Sequence, residues 1–318
     1  MLVVGIDEAG YGPTLGPLVV AASLWRIRTD RVKDDLWRHL DACVRRPPNH
    51  DDAHLTVGDS KAVFHRKKGI STLERPVLAF ASAAGLPCET LTQFLHALDP
   101  DFVDAHAIPW YRELSRTLPI ERSLSRFAAV AGRLRGVMDA AEVRCCGLTA
   151  RVVTEDRFNA RVASTRNKAA VLIEQILRLI VRAAEHAGDG DLLVRVDRLG
   201  GRANYRALLH DAFPDRHLHE VEVSETVSRY RLADARSDWF VEFSVQADSR
   251  HLPVALASMT AKYVREALMG CFNEYWRTWL PDLKPTAGYY TDARRFLSEI
   301  EPVLERSRVP RDAFVRSR

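Results

Sequence analysis

Cysteine is scarce and unpatterned in this chain: Cys43, Cys88, Cys145, Cys146 and Cys271 are odd in number and show no C-x-x-C spacing. A disulfide framework or a cysteine zinc site is therefore not expected, and the five read as reduced packing residues. Long apolar runs are missing too. None reaches the roughly 20 residues that span a bilayer, and the chain opens on a strand-like segment rather than a cleavable signal, so no membrane association and a cytoplasmic location are the expectations. Charge of one sign is also lacking, with 46 basic residues against 42 acidic ones and a net of +4. Overall electrostatics thus neither demands nor excludes a nucleic-acid partner, and local clusters must decide. There is no internal repeat or low-complexity tract, and Gly200-Gly201 comes without the Walker lysine pattern of a phosphate loop. His54, His65 and His251 have no metal-ligand spacing, which leaves His251 as a loop residue near Asp248 with at most a proton-shuttling role.

What is present begins at the first residues. Leu2 to Ile6 is apolar throughout and too short for a helix, so it reads as a strand covered on both faces, with Asp7 and Glu8 emerging where backbone pairing stops. Gly10, Gly12 and Gly16, with Pro13 and Pro17, turn the chain into a second apolar run from Leu18 to Ala22. An ordinary strand-end turn has the same composition. At 318 residues and 47% hydrophobic content, there is enough apolar material for one elaborated domain or two small ones.

The polar stretch from Arg45 to Asp52 reads as a loop, after which Asp59 or Ser60 caps a helix that carries Lys61. From about Pro76 to Cys146 the chain is rich in Ala, Leu and Arg, divided by Pro87, Pro100, Pro109 and Pro119, and reads as a helical insertion within a single 1–318 domain. Thr149 to Thr154 reads as a strand. A helix from near Ser164 follows, with Ala169, Leu172, Ile173, Ile176, Ile180 and Ala183 on one face. Leu192 to Val196 is a strand ending on Asp197, and His217 to Val227 and Trp239 to Val245 read as further strands. A last long helix from about Leu252 aligns Val254, Ala257, Ala261, Val264, Leu268 and Phe272, with the alanines allowing close approach to a sheet. The pattern predicts an α/β fold with helices flanking a sheet.

Asp7, Glu8, Asp197 and Asp248 all stand at element boundaries. Two such carboxylates brought within about 4 Å repel by about 4 kcal/mol at an effective dielectric near 20. A divalent cation removes that penalty. Oxygen ligands without Cys or His favour Mg²⁺ or Mn²⁺, and two such ions can hold the attacking and leaving oxygens of a phosphodiester. Strand-end acids and helix caps are the ordinary alternative for Asp197 and Asp248. Glu155, Asp156 and Asn159 sit before a helix, where capping is the simpler reading and an outer shell around the acids the other.

In order along the chain, Gly5-Ile6-Asp7-Glu8-Ala9-Gly10-Tyr11-Gly12-Pro13 with Gly16-Pro17, then Asp59-Ser60-Lys61, then Ala247-Asp248 followed by Val254 to Lys262 and Arg265-Glu266, and Gly288-Tyr289-Tyr290-Thr291, resemble the motifs of the type 2 ribonucleases H, ribonuclease HII. The resemblance implies an RNase H-like mixed sheet flanked by helices and endonucleolytic hydrolysis of the RNA strand of RNA–DNA hybrids, leaving 3′-hydroxyl and 5′-phosphate ends. It implies Asp7, Glu8, Asp197 and Asp248 as catalytic acids holding two Mg²⁺ or Mn²⁺ ions. Asp197 matches only as a strand with a terminal acid, and Asp191 at the strand's start competes with it. Tyr11 stands where the family usually has an arginine that senses the ribose 2′-hydroxyl, so the guanidinium is absent from this loop and preference for a single embedded ribonucleotide is not implied. The amides of Gly10, Tyr11 and Gly12 remain candidate sugar or phosphate contacts. Ser60, Lys61 and Lys262 are candidate phosphate contacts and Tyr289 a stacking residue, with Arg66-Lys67-Lys68 as a basic edge. The helical insertion either extends the hybrid-binding face or docks a partner protein. Two rival functions fit the same residues: a non-catalytic nucleic-acid-binding relative, and a metal-dependent nuclease for another structure such as branched DNA.

Overall fold

A computed structural model describes residues 1–48, 53–64, 69–102, 108–112, 114–121 and 124–317. Arg66-Lys67-Lys68 and His65 lie outside the described residues. The strands are β1 (Leu2–Ala9), β2 (Leu18–Arg26), β3 (Val44–Arg45), β4 (Leu55–Thr56), β5 (Arg144–Val153), β6 (Leu192–Asp197), β7 (His217–Val223), β8 (Val227–Ala233) and β9 (Asp238–Ser244). The helices are α1 (Leu36–His39), α2 (Ser60–Val63), α3 (Ser71–Ala83), α4 (Leu91–Leu98), α5 (Leu124–Ala140), α6 (Glu155–Thr165), α7 (Lys168–Ala187), α8 (Arg206–Ala212), α9 (Ala247–Arg250), α10 (Leu252–Trp279) and α11 (Tyr290–Ser307). β3 and β4 form a small parallel pair, and the other strands make one seven-stranded sheet in the order β5-β2-β1-β6-β9-β8-β7. Its central strands β1, β6 and β9 are parallel, while β2, β5, β8 and β7 join antiparallel on the flanks.

Alternation along the strands divides the apolar side chains between two layers. Val3, Val19, Ala21 and Trp25 face a core shared with α3, α4 and α10, whereas Leu2, Val4, Ile6, Val20 and Ala22 face a core shared with α7 and α8. This is the predicted mixed α/β sheet with helices on both faces. α7 forms because Asn167 caps it by accepting from the Ala169 amide at 2.9 Å, Gly188 ends it, and Leu172, Ile176, Leu179, Ile180 and Ala183 fall on one buried stripe. Each such aliphatic side chain contributes roughly 1.5–3 kcal/mol by leaving water. α10 starts with Pro253 in its first turn and lies so close to β1 that a Cβ on Gly5 would sit 2.1 Å from the Pro253 carbonyl carbon. The Ser23 hydroxyl fixes the same corner by donating to Pro253 O at 2.6 Å.

Several boundaries differ from the sequence expectations. β1 runs on to Ala9, so Asp7 and Glu8 lie within a strand still paired to β2; pairing stops at Ile6 only on the β6 side. His217 to Val227 is not one strand but β7 and the start of β8, whose hairpin turn carries no Gly or Pro signal. The helix expected from near Ser164 begins at Lys168, after a separate α6 that ends with Arg166 in the left-handed region at φ 50°. The helix containing Pro76 begins at Ser71, and Cys146 lies inside β5. All five cysteines are free. Among the described residues, no helix is long and apolar enough to cross a membrane.

Candidate metal and nucleic-acid site

The parallel register of β1 and β6 pairs Ile6 with Val196, which leaves Asp7 and Asp197 as the next residues on neighbouring strands. β6 in turn pairs Asp197 with Ser244 at the end of β9, and α9 begins three residues later and carries Asp248. Three acids from distant parts of the sequence therefore gather at the carboxyl ends of three adjacent parallel strands, about 4.8 Å apart from one to the next. Open α/β sheets bind ligands at this end. Asp191 is at the opposite end, where its carboxylate accepts from the Asp238 amide at 3.0 Å, so it belongs to the strand's start and not to the site.

Each acid is held in a distinct way. Asp7 is 8% exposed, faces the α10 side of the sheet, accepts the Glu8 amide at 2.8 Å and is hydrogen-bonded by Ser258 of α10. Ser258 also bonds Ser60 at 3.0 Å, tying α2 to the same helix. Glu8 projects to the other face and is half-buried. Asp197 accepts the Ala247 amide at 2.8 Å. Burial, with the charge of Glu8 and of Asp197 added, pushes Asp7 well above the ordinary carboxylate range. Burial and Asp197 push Glu8 up, burial raises Asp197, and burial together with Asp59 and Asp197 pushes Asp248 up to about 6. Lys61, exposed on α2, is the cation whose charge reaches both Glu8 and Asp197.

Donor chemistry fits a hard divalent ion. The groups are carboxylate oxygens that repel one another, and the Ser244 hydroxyl, opposite Asp197, is buried with no hydrogen-bond partner among the described residues. Among the described residues, no group of three or more His, Cys, Asp or Glu stands close enough together to hold a metal ion as it is.

The remaining predicted residues surround this end unevenly. Asp59 is the cap of α2, accepting the Lys61 amide at 2.9 Å, and its carboxyl also reaches Asp248 within side-chain hydrogen-bonding distance. The sequence marks Asp59 as a cap and as part of the Asp59-Ser60-Lys61 motif, without a place among the acids. Its motif was the available signal. Lys262 is occupied, bonding Glu266 at 2.5 Å and lying 4.8 Å above the Phe64 ring. Tyr289 is 51% exposed, with the Arg265 guanidinium 5.8 Å from its ring centroid. Gly10 adopts φ 90°, and a Cβ there would stand 2.5 Å from Arg265 Nε and Pro17 O. Arg265 itself is fully buried and donates to Leu15 O at 3.0 Å and Ala287 O at 3.1 Å, joining the glycine loop to the Gly288 turn. His251 is largely buried and lowered to about 4, by burial first and then by Arg195, with Glu242 opposing, which keeps it neutral.

Glu155, Asp156 and Asn159 sit inside α6, not before it. Glu155 is fully buried, accepts the Tyr111 hydroxyl at 3.3 Å and is pushed up to about 7 by burial. Asn159 serves neither as cap nor as a support of the acids; it binds the backbone of residues 312–317. Position 11 itself carries no guanidinium; Arg316 places one beneath the glycine loop, where it is buried and donates to Gly10 O and Tyr11 O. No local sequence signal marks it, because 305 residues separate it from Tyr11.

The fold and site thus define a mixed α/β protein with an acidic cluster at the carboxyl end of its parallel strands. No family model and no curated protein matches the chain. Among solved structures it is similar to the RNase HII of Archaeoglobus fulgidus, solved in complex with PCNA, at 17% identity and TM-score 0.45 over 100% of this chain and 95% of that one. It is similar also to the ribonuclease H2 of Pyrococcus horikoshii at 15% identity and TM-score 0.41, over 99% of this chain and 92% of that one. A third likeness is to Bst-RNase HIII in complex with Mn²⁺, at 14% identity and TM-score 0.40, over 99% and 66%.

Proposed function

We propose that the protein is a cytoplasmic, metal-dependent endoribonuclease with an RNase H-like fold that hydrolyses the RNA strand of RNA–DNA hybrids and leaves 3′-hydroxyl and 5′-phosphate ends. The observation that carries this reading is the meeting of Asp7, Asp197 and Asp248 at the ends of β1, β6 and β9, with pKa values raised by burial and by one another. Buried acids that raise one another's pKa values are candidates for a functional site. Asp7, Glu8, Asp197 and Asp248 would hold Mg²⁺ or Mn²⁺, which when bound supplies an activated water and charge stabilisation for the leaving oxygen.

The chain's own residues do the rest. Ser258 and the Glu8 amide orient Asp7, and the Ala247 amide orients Asp197. Lys61 would meet a backbone phosphate in this reading, with Ser60 anchoring its helix through Ser258. The amides of Tyr11 and Gly12 have no acceptor among the described residues and face a sugar–phosphate backbone in this reading. Tyr289 offers an exposed ring for stacking, and Lys262 reaches a phosphate only by releasing Glu266. Residues 76–146 are read as a helical addition to a single 1–318 domain.

A 5′-labelled RNA–DNA hybrid incubated with Mg²⁺ or Mn²⁺ tests this. Internal cuts with 5′-phosphate ends are expected. Binding without cleavage in either metal would instead make the protein a non-catalytic hybrid binder, and preferential cutting of branched DNA would overturn the substrate class.

A further inference from the structure

Residues 309–317 cross the molecule beside the candidate site. Phe314 is fully buried among Trp110, Phe272 and Trp276, 5.4 Å from the Trp276 ring, and anchors the segment in the core. Val315 pairs with Leu15 in an antiparallel bridge, and the Arg316 amide donates to Thr14 O at 2.9 Å. From the other side Asn159 of α6 donates to Asp312 O and Val315 O, both at 2.7 Å, and accepts the Ser317 amide at 2.6 Å. The side chain of Arg316, 3% exposed, then passes under the glycine loop. Its guanidinium stacks 3.9 Å from the Phe158 ring centroid and donates to the carbonyls of Gly10 and Tyr11. Burial and the nearby Arg265 lower it only to about 10, with Glu155 opposing, so it stays charged at neutral pH.

These contacts take the loop's carbonyls and turn them inward. A planar fork satisfying two successive carbonyls fixes the orientation of the peptide planes between them, which a point-charge ammonium cannot do as well. The amides of Tyr11 and Gly12, three and four residues past Glu8, are left without an acceptor among the described residues. From this geometry we propose that Arg316 is a positioning residue: it clamps the loop of residues 10–15 in the conformation that presents these amides beside Asp7 and Glu8. The consequence for substrate rests on the nuclease reading above. If the loop is competent only when clamped, apparent substrate affinity falls by the fraction of molecules that remain clamped, while turnover at saturation is spared.

The test uses the full chain with Arg316→Gln and Arg316→Lys. Two readouts are followed: hydrogen exchange at the Thr14 and Leu15 amides, which bond Gly288 O at 2.8 and 3.1 Å, and KM and kcat for a labelled hybrid. In Arg316→Gln, exchange at Thr14 and Leu15 should accelerate about tenfold or more while the amides of Val3 to Ile6 keep their protection. KM should rise by a similar factor, kcat should change by less than about twofold, and Arg316→Lys should recover part of both. Unchanged loop exchange overturns the clamp. Faster loop exchange with an unchanged KM removes its role in seating substrate. Faster exchange throughout β1, with a lowered Tm, reduces Arg316 to a general stabiliser and also overturns the proposal. Should the wild-type protein fail to cut or bind any hybrid, the nuclease reading falls, and the exchange measurement still decides the clamp by itself.

Discussion

Acids at the carboxyl ends of β1, β6 and β9 are surrounded by one another, whereas Asp292, at the first turn of α11, is surrounded by donors. Burial acts to raise Asp292, but Arg295 at 2.7 Å, the Thr286 hydroxyl at 2.8 Å and the Ala287 amide at 3.0 Å hold it below the usual carboxylate range. Asp234 is likewise kept low, by the amides of Arg236 and Ser237. Asp7, Glu8, Asp197 and Asp248 are all raised. The same residue types thus serve two purposes. Where the fold surrounds a carboxylate with donors, it adds to stability; where it crowds carboxylates together, it gives up stability, which in the proposed reading a bound cation would restore.

Neutralising an acid from each group should break the comparison most visibly at Asp7. Asp7→Asn is expected to reduce hybrid cleavage by about a thousandfold or more without lowering Tm, because a buried, repelled charge is removed. Cleavage assays paired with thermal unfolding check it, and undiminished cutting would end the metal-site reading. Gly5→Ala tests the support beneath the acids. Its Cβ meets Pro253 backbone at 2.1 Å, so a loss of about 3 kcal/mol in urea unfolding is expected, and a loss within error would mean that α10 can shift away from β1.

Glu155 sharpens the comparison, being a raised acid with a cation nearby. Its pKa in the folded protein is about 7 against an ordinary 4.5, so between those values the folded state binds more protons than the unfolded one. Its effect on stability is therefore most favourable below about pH 4.5 and is lost as pH rises through about 7. Glu155→Gln should flatten that part of the pH–stability curve, which denaturant titrations at pH 4.5, 6 and 8 would show; an unchanged slope would place the proton elsewhere. The smallest effect is expected from Asp292→Ala, about 1 kcal/mol lost with cleavage intact, measured by the same unfolding and cutting assays.

Local features were legible where a short stretch carries its own physics. The all-apolar Leu2 to Ile6, the 3.6-residue stripe of α7 and the small residues of α10 announced their elements, and Asp59 its cap. The β7–β8 hairpin was not, because its turn lacks Gly and Pro and β7 is exposed along most of its length, which leaves no break in pattern between the two strands. The acids were legible as candidates by their positions at element boundaries. Asp59 as a neighbour of Asp248, Ser258 as a partner of Asp7 and Arg316 as the cation under the glycine loop were not, since none of these pairings leaves a trace in spacing.

Taken alone, the sequence determined the principal strands and helices, such as β1, β6, α7 and α10, and which carboxylates lie near their ends, because hydrophobic periodicity and capping act over a few neighbours along the chain. Only the tertiary structure decided that Asp7, Asp197 and Asp248 share one end of one sheet, that Asp191 lies at the other, and that residues 309–317 return to hold the loop after Glu8. Strand order and register are fixed by packing between segments tens to hundreds of residues apart, and the chain's local chemistry does not encode those distances.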